Sequence, residues 1–185
     1  MALIYRQDDK RWARHYYPNK NRRFKDNGCG CCSVTHLIIG KKKYAKLTPD
    51  DVRKWMISQK GIVTANGDTT DAGITKSLRH YGYEPKYFGT DTPMSKIFKE
   101  LAKGNRKGII LFSAGKAPDG TEYTIYGHFI AFTDYKKVNG KHYFYLKDSA
   151  GWRRNDGWHE YSKQMKGLVD RVWVVEKNLP KKKAV

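Results

Sequence analysis

The sequence predicts an α+β fold in which helices come first and an antiparallel sheet follows. The first half contains apolar residues at helical spacing, and several of these segments begin at helix-capping residues. The second half contains short aromatic and β-branched runs that are separated by turn signals. No internal repeat and no convincing linker interrupts this order. We therefore expect residues 1–185 to form a single domain in which N-terminal helices pack on a C-terminal antiparallel sheet.

Residues 1–25 are rich in basic and aromatic side chains and show no clear period. We expect an irregular, partly ordered arm that lies over the domain, and a second basic segment, a tail, at residues 177–185. Basic residues interleaved with aromatic rings can bind single-stranded nucleic acid by stacking. Such a segment more often packs its rings against the protein and leaves its charges in water.

The predicted helices carry recognisable start and stop signals. Thr48 is a plausible N-cap, Pro49 suits the first helical position, and Gly82 suits the residue after a helix. The predicted helices are an apolar segment at 29–40 and three capped helices at 49–59, 72–81 and 92–101.

The predicted strands alternate with turns. Asn139-Gly140 is a strong hairpin signal between two of them. The predicted strands lie at 84–88, 108–113, 127–134, 142–148 and around 172–175.

The composition is strongly basic, with 37 Lys plus Arg against 18 Asp plus Glu and a formal net charge of +19. Such a chain is attracted to polyanions, which include nucleic acid, anionic cell-wall polymers and acidic membrane surfaces. No apolar run approaches the roughly 20 residues of a membrane helix, and residues 1–5 lack a secretory apolar region. The sequence therefore predicts synthesis in the cytoplasm without a signal peptide.

The stretch 26–39 places Cys29 where turn residues give way to an apolar helix. Unpaired backbone N–H groups and the helix dipole at such a position favour the thiolate, which is the nucleophilic form. Two other interpretations stay open here, because clustered cysteines also fill cores or bind metal. The six histidines are scattered and form no close ligand pair, so the choice depends on residues elsewhere in the chain.

Two such residues are His128 and Asp148. His128 begins one strand of the predicted hairpin and Asp148 ends the next, so antiparallel pairing brings them side by side. A cysteine, a histidine and an acid supply a nucleophile, a general base and a group that orients the base.

Several motifs together resemble papain-like cysteine peptidases, in the branch of the bacteriocin-processing peptidases and their free-standing relatives, family thirty-nine of the cysteine peptidases. The similarity covers about residues 26–151. The principal signatures are Gly28-Cys29-Gly30, Gly127-His128-Phe129-Ile130-Ala131-Phe132 and Leu146-Lys147-Asp148-Ser149-Ala150-Gly151, and the intervening matches lie at 47–51, 66–70, 78–82 and 101–104.

The resemblance implies that Cys29 is the nucleophile, His128 the base and Asp148 the orienting acid, with no cofactor and no metal. It also implies that Cys31 and Cys32 are ordinary helix residues. Relatives usually place a Gln shortly before the nucleophile to help form the oxyanion hole, and residues 21–27 contain none. Asn27, Asn21 or Asn19 can substitute for it, as can the backbone N–H of Cys29 acting with another group.

The resemblance and the charge together predict a cell-wall amidase or endopeptidase of the phage endolysin type. Its partner would be an anionic wall polymer or a peptide substrate, and holin-type lysis would release it to the wall. A cysteine protease acting on proteins is the first alternative. The alternative from another class is a non-catalytic, basic nucleic-acid-binding module built on a papain-like shell.

Overall fold

The computed structural model describes residues 4–18, 22–64, 66–150 and 155–177. Helices precede most of the strands, and the strands form an antiparallel sheet, so the predicted α+β class is confirmed. The α-helices are α1 (Phe24–Asn27), α2 (Cys29–Ile38), α3 (Pro49–Ser58), α4 (Asp71–His80) and α5 (Met94–Leu101). The strands are β1 (Lys86–Phe88), β2 (Arg106–Ser113), β3 (Gly127–Val138), β4 (Lys141–Lys147), β5 (Gly157–Glu160) and β6 (Val169–Glu176).

The strand order across the sheet is β1-β6-β2-β3-β4-β5, and every neighbouring pair is antiparallel. The turn between β3 and β4 is the predicted hairpin, in which Asn139 and Gly140 both have positive φ. That geometry is why Asn-Gly occupies the turn. Consecutive strands pair directly there, whereas β6 returns to lie between β1 and β2.

The sheet is buried on both faces. One face packs on α2 and α4 through residues such as Ile109, Phe129 and Trp173, and α3 packs against these two helices. The other face packs on α5 and a π-helical turn at Tyr161–Met165 through residues such as Ile110 and Phe132. Burial of both faces explains why β2 contains a continuous apolar run rather than an alternating one.

The sequence predicted capped starts for three helices, and the structure has a side-chain cap at two of them, α3 and α4. Thr48 caps α3 by accepting from the backbone N–H of Asp51 at 3.3 Å, and Thr70 caps α4 by accepting from that of Gly73 at 3.0 Å. The capping prediction was wrong for α5. This helix begins only at Met94, and its N-cap residue, Pro93, has no side-chain acceptor.

The described residues 4–18 and 22–23 of the N-terminal arm form turns and an isolated bridge, and they are more closely integrated than a segment lying over the domain. Tyr5 and Trp12 belong to the core cluster beneath α2, and Tyr17 is also buried. The arm therefore uses these rings for packing rather than for stacking on a ligand. Residues 178–185 of the predicted basic tail lie outside the described residues.

Candidate active site

Cys29 is the first residue of α2, directly after the short helix α1 and the linking residue Gly28. A Cβ atom at Gly28 would overlap the ring and the carbonyl oxygen of Phe24, and one at Gly30 would overlap the side chain of Thr69. Both glycines are therefore required for the close packing around the first turn of α2. Cys29 is partly exposed there.

Cys31 and Cys32 lie further along α2 and are fully buried. Burial raises the pKa of the Cys31 thiol to about 12 and raises that of Cys32 well above its ordinary value. The Cys31 sulfur contacts the Tyr17 hydroxyl and the Met56 sulfur, each at 3.5 Å. These two cysteines are core residues of the helix, as expected.

His128 and Asp148 meet as the hairpin topology predicts. His128 is the second residue of β3, Asp148 follows the last residue of β4, and the His128 Nε2 atom lies 2.7 Å from Asp148 Oδ1. Cys29 lines the same cavity as His128 and is near enough to its ring to affect the pKa of the imidazole. Because Nε2 faces the carboxylate, Nδ1 is the ring nitrogen left for the thiol.

These contacts control the charge of the histidine. Burial disfavours the imidazolium, but the hydrogen bond to Asp148, the nearby Cys29 and the charges of both residues outweigh burial and raise the pKa of His128 to about 10. Burial also opposes ionisation of Asp148, yet His128 and the backbone N–H groups of Ala150 and Asn155 lower its pKa. The structure therefore favours an imidazolium beside a carboxylate.

This arrangement predicts a specific loss of stability at alkaline pH. Because the folded-state pKa of His128 is raised, its contribution to stability is complete below its ordinary value of 6.5 and is lost as pH rises through about 10. Denaturant unfolding at about pH 6 and about pH 10 should show a smaller decline for His128→Gln than for the wild type. Equal declines in the two proteins would contradict the assigned ionisation.

Asp148 is held by groups that sequence reasoning did not include in the site. Its Oδ1 accepts from the backbone N–H of Ala150 at 2.9 Å, and its Oδ2 accepts from the side-chain Nδ2 of Asn155 at 3.2 Å. Its own backbone N–H donates to Asp156 at 2.9 Å, and Arg6 donates both to its carbonyl oxygen and to Asp156. The arm thus helps to fix the acid, a role that no local motif around Arg6 indicates.

Gln7 is the other arm residue that sequence reasoning missed. Its Nε2 donates to the carbonyl oxygen of Lys25 at 2.6 Å, and its Oε1 accepts from the Ser149 hydroxyl at 3.2 Å. Its backbone N–H also donates to Ser149 O at 2.9 Å. Gln7 lines the same cavity as Cys29 and His128, although it precedes Cys29 by 22 positions in the sequence. The available signal was that Gln7 is the one Gln in the sequence before Cys29.

The asparagines considered for the oxyanion hole are placed less favourably. The Asn27 Nδ2 donates to Asp68 Oδ1 at 2.5 Å and to the carbonyl oxygen of Asn66 at 3.3 Å, so both of its N–H groups are engaged. Asn21 and Asn19 lie outside the described residues. The roles of Asn27 and Asn21 as oxyanion-hole donors therefore stay predictions.

A cleft runs past Cys29 on both sides. It consists of two adjoining cavities of about 350 and 300 Å³ that share Cys29, Asp26, Tyr126 and Gly127. One cavity is lined by Asp68 and by the ion pair of Asp71 with Arg171, and the other by Arg22 and Lys25. Tyr126 is 87% exposed and stands between them.

Other features bear on the alternatives considered for the sequence. Within the described ranges, no group of three or more His, Cys, Asp or Glu side chains is arranged to hold a metal ion. In the same part of the chain, no helix combines the length and apolar character needed to cross a bilayer.

The sheet with helices on both faces, and the cysteine at the start of α2 facing a histidine on β3, define the class as a papain-like fold of the cysteine peptidase type. Sequence comparison matches residues 5–179 to the Peptidase_C39 like family. The chain belongs to this family, which confirms the resemblance inferred from the motifs, and its class is that of a hydrolase with cysteine peptidase character. No match was found among curated proteins.

Proposed function

We propose that the protein hydrolyses amide bonds with Cys29 as nucleophile, His128 as general base and Asp148 as the acid that orients the base. The observation that carries this proposal is the hydrogen-bonded pair of His128 with Asp148, whose histidine shares one cavity of the cleft with Cys29. Membership of a peptidase family supports the same chemistry.

In the proposed reaction, the His128 Nδ1 accepts the thiol proton and the Cys29 sulfur attacks the carbonyl carbon of the scissile amide. The raised pKa of His128 favours this transfer, because the resulting imidazolium is supported by the Asp148 carboxylate. The imidazolium then returns the proton to the leaving amine, which leaves an acyl-thioester on Cys29. Water that is activated by the neutral His128 hydrolyses this thioester and restores the thiol.

The negative oxygen of the tetrahedral intermediate needs hydrogen-bond donors. We assign this role to the backbone N–H of Cys29, at the positive end of α2, and to the Gln7 Nε2. The Gln7 side-chain amide donates only one of its two N–H groups, to the carbonyl oxygen of Lys25. Both N–H groups of the Asn27 side chain are already engaged. Gln7 also lines the cavity that contains Cys29 and His128.

Gln7→Ala should therefore lower kcat by about 10²–10³, the loss measured when one oxyanion-hole donor is removed. KM should change little, because the donor acts mainly on the transition state. Ser149→Ala is the matched control, since it removes the contact to Gln7 Oε1 while leaving the donor in place. A large loss of kcat in Asn27→Ala with normal turnover in Gln7→Ala would transfer the role to Asn27.

For the substrate, we favour an amide bond in bacterial peptidoglycan, with a phage endolysin as the biological setting. The net charge of +19 suits a substrate embedded in anionic polymer. Opposite charges on the two sides of Cys29 suit a peptide that carries both amino and carboxylate groups, as peptidoglycan stem peptides do. Release to the wall through holin-type lysis belongs to the same proposal.

The substrate test is incubation with purified sacculi and, separately, with a denatured protein mixture. Mass spectrometry should identify new amine and carboxyl termini in the sacculi, and Cys29→Ala should produce none. Cleavage confined to the protein mixture would contradict the cell-wall substrate and would support the first alternative, a cysteine protease acting on proteins.

The nucleic-acid alternative predicts tight and selective binding. We instead expect weak, sequence-independent binding to duplex DNA that fades steeply with salt, as counterion release requires of purely charged contacts. Titration at several salt concentrations measures this slope. Sequence-selective, nanomolar affinity that survives about 0.2 M salt would favour the nucleic-acid module over the enzyme.

A further inference from the structure

A second cavity, of about 600 Å³, lies at the C-terminal end of α2 and shares no lining residue with the cleft at Cys29. Its walls come from α2, β2, β3 and the residues that follow α4 and β6. The polar and aromatic side chains that line it are His36, Lys41, Tyr83, Lys107, Thr133 and Lys177. The cavity is therefore rich in cations.

Two of these lysines have no acidic partner among the described residues. The Lys107 Nζ donates to the carbonyl oxygen of Leu37 at 2.6 Å, and the Lys41 Nζ donates to that of Tyr81 at 2.8 Å and that of Gly82 at 3.3 Å. Both ammonium groups also lie over the Tyr83 ring, at 4.8 and 3.4 Å from its centroid. These contacts help to cap helix ends, but they use one of the three Lys107 N–H groups and two of those of Lys41.

The pKa values of both lysines are lowered by this arrangement. Burial and the charges of Lys41 and Lys177 lower the pKa of Lys107 to about 8, and burial and Lys43 lower that of Lys41 to about 8. Lys177 is better compensated, because its Nζ lies 2.7 Å from Asp134 Oδ1. Lys107 and Lys41 thus form a partly buried pair of like charges, which an anion would neutralise.

His36 supplies an independent observation in the same wall. It is 6% exposed, and its Nε2 accepts from the backbone N–H of Tyr5 at 2.8 Å. Burial lowers the pKa of His36 to about 3, so the ring is neutral and its proton is on Nδ1. This Nδ1–H is buried and has no acceptor among the described residues. An unpaired buried donor is uncommon and costly.

We propose that this cavity binds a phosphoryl group, either as free phosphate or as part of a phosphate ester. The spare N–H groups of Lys107, Lys41 and Lys177 and the hydroxyl of Thr133 come from several elements around one space. Donors that surround an anion suit a tetrahedral group with several oxygens better than a planar carboxylate with two. Ammonium groups act on such an anion as point charges.

The test is calorimetric titration of the full chain with inorganic phosphate and, separately, with glycerol 3-phosphate, at an ionic strength held constant with sodium chloride. We expect one saturable site. Lys107→Gln should weaken binding about tenfold or more, the loss expected for one charge-assisted hydrogen bond. Lys116→Gln is the matched control, because it removes the same charge from an exposed lysine outside the cavity. Tighter binding of glycerol 3-phosphate would identify an ester, and equal or weaker binding would identify free phosphate.

Binding that is not saturable, or that falls equally in Lys107→Gln and Lys116→Gln, would overturn the proposal in favour of diffuse attraction. If Lys107→Gln does not fold, Lys41→Gln replaces it. Ammonium nitrogen NMR of the wild type gives a measurement that needs no variant. Phosphate should shift the Lys107 Nζ signal, and an unchanged signal at saturation would also overturn the site.

Discussion

Cys29→Ala is expected to lower turnover of any amide substrate by about 10⁴-fold or more, the scale on which a covalent nucleophile acts. The reason is that no other thiol can replace Cys29, since Cys31 and Cys32 are fully buried. The fold should survive because Cys29 is only partly buried at the first position of α2. Initial rates and a thermal melt of the wild type and the variant measure both outcomes.

Alkylation gives a second measurement of the same assignment. Iodoacetamide reacts with thiolate, and burial raises the pKa of Cys31 to about 12 and that of Cys32 well above its ordinary value. Near neutral pH, label should therefore appear at Cys29 first, in parallel with loss of activity. Labelling of Cys31 or Cys32 with Cys29 unmodified would reverse the nucleophile assignment.

Asp148→Asn is expected to lower kcat by about 10⁴, the loss known for the matching change in a Ser-His-Asp enzyme. The carboxylate fixes the His128 ring at 2.7 Å and, together with Cys29, raises the pKa of His128 against the effect of burial. Loss of the negative charge should therefore also move the alkaline limb of the pH–activity profile to lower pH. Steady-state kinetics across the pH range measure both effects.

Asp134→Asn is the matched control for this change. Asp134 is also an acid of the β3–β4 region, but it pairs with Lys177 at 2.7 Å and is about half exposed. This control should retain both turnover and the pH profile. Normal turnover in Asp148→Asn, with a large loss in Asp134→Asn or Asn155→Ala, would show that another residue orients His128.

The local elements were largely predictable because their signals lie within a few residues of each other. Thr48-Pro49 marks the start of α3, and Asn139-Gly140 marks the β3–β4 turn. Strand β5 was missed because Gly157-Trp158-His159-Glu160 has no clear alternation and pairs only with β4. The short helix α1 was missed because four residues cannot show a helical period.

The sequence by itself determined the α+β class, the helix that begins at Cys29 and the meeting of His128 with Asp148, because local spacing and hairpin pairing depend on neighbours along the chain. Only the tertiary structure decided the placement of the arm, which brings Gln7 to the cavity that Cys29 lines, although 22 positions separate them in the sequence. Only the tertiary structure gathered Lys41, Lys107 and His36 around one cavity. Such contacts join residues that are distant in sequence, and they arise from packing of buried rings and strands that no local pattern encodes.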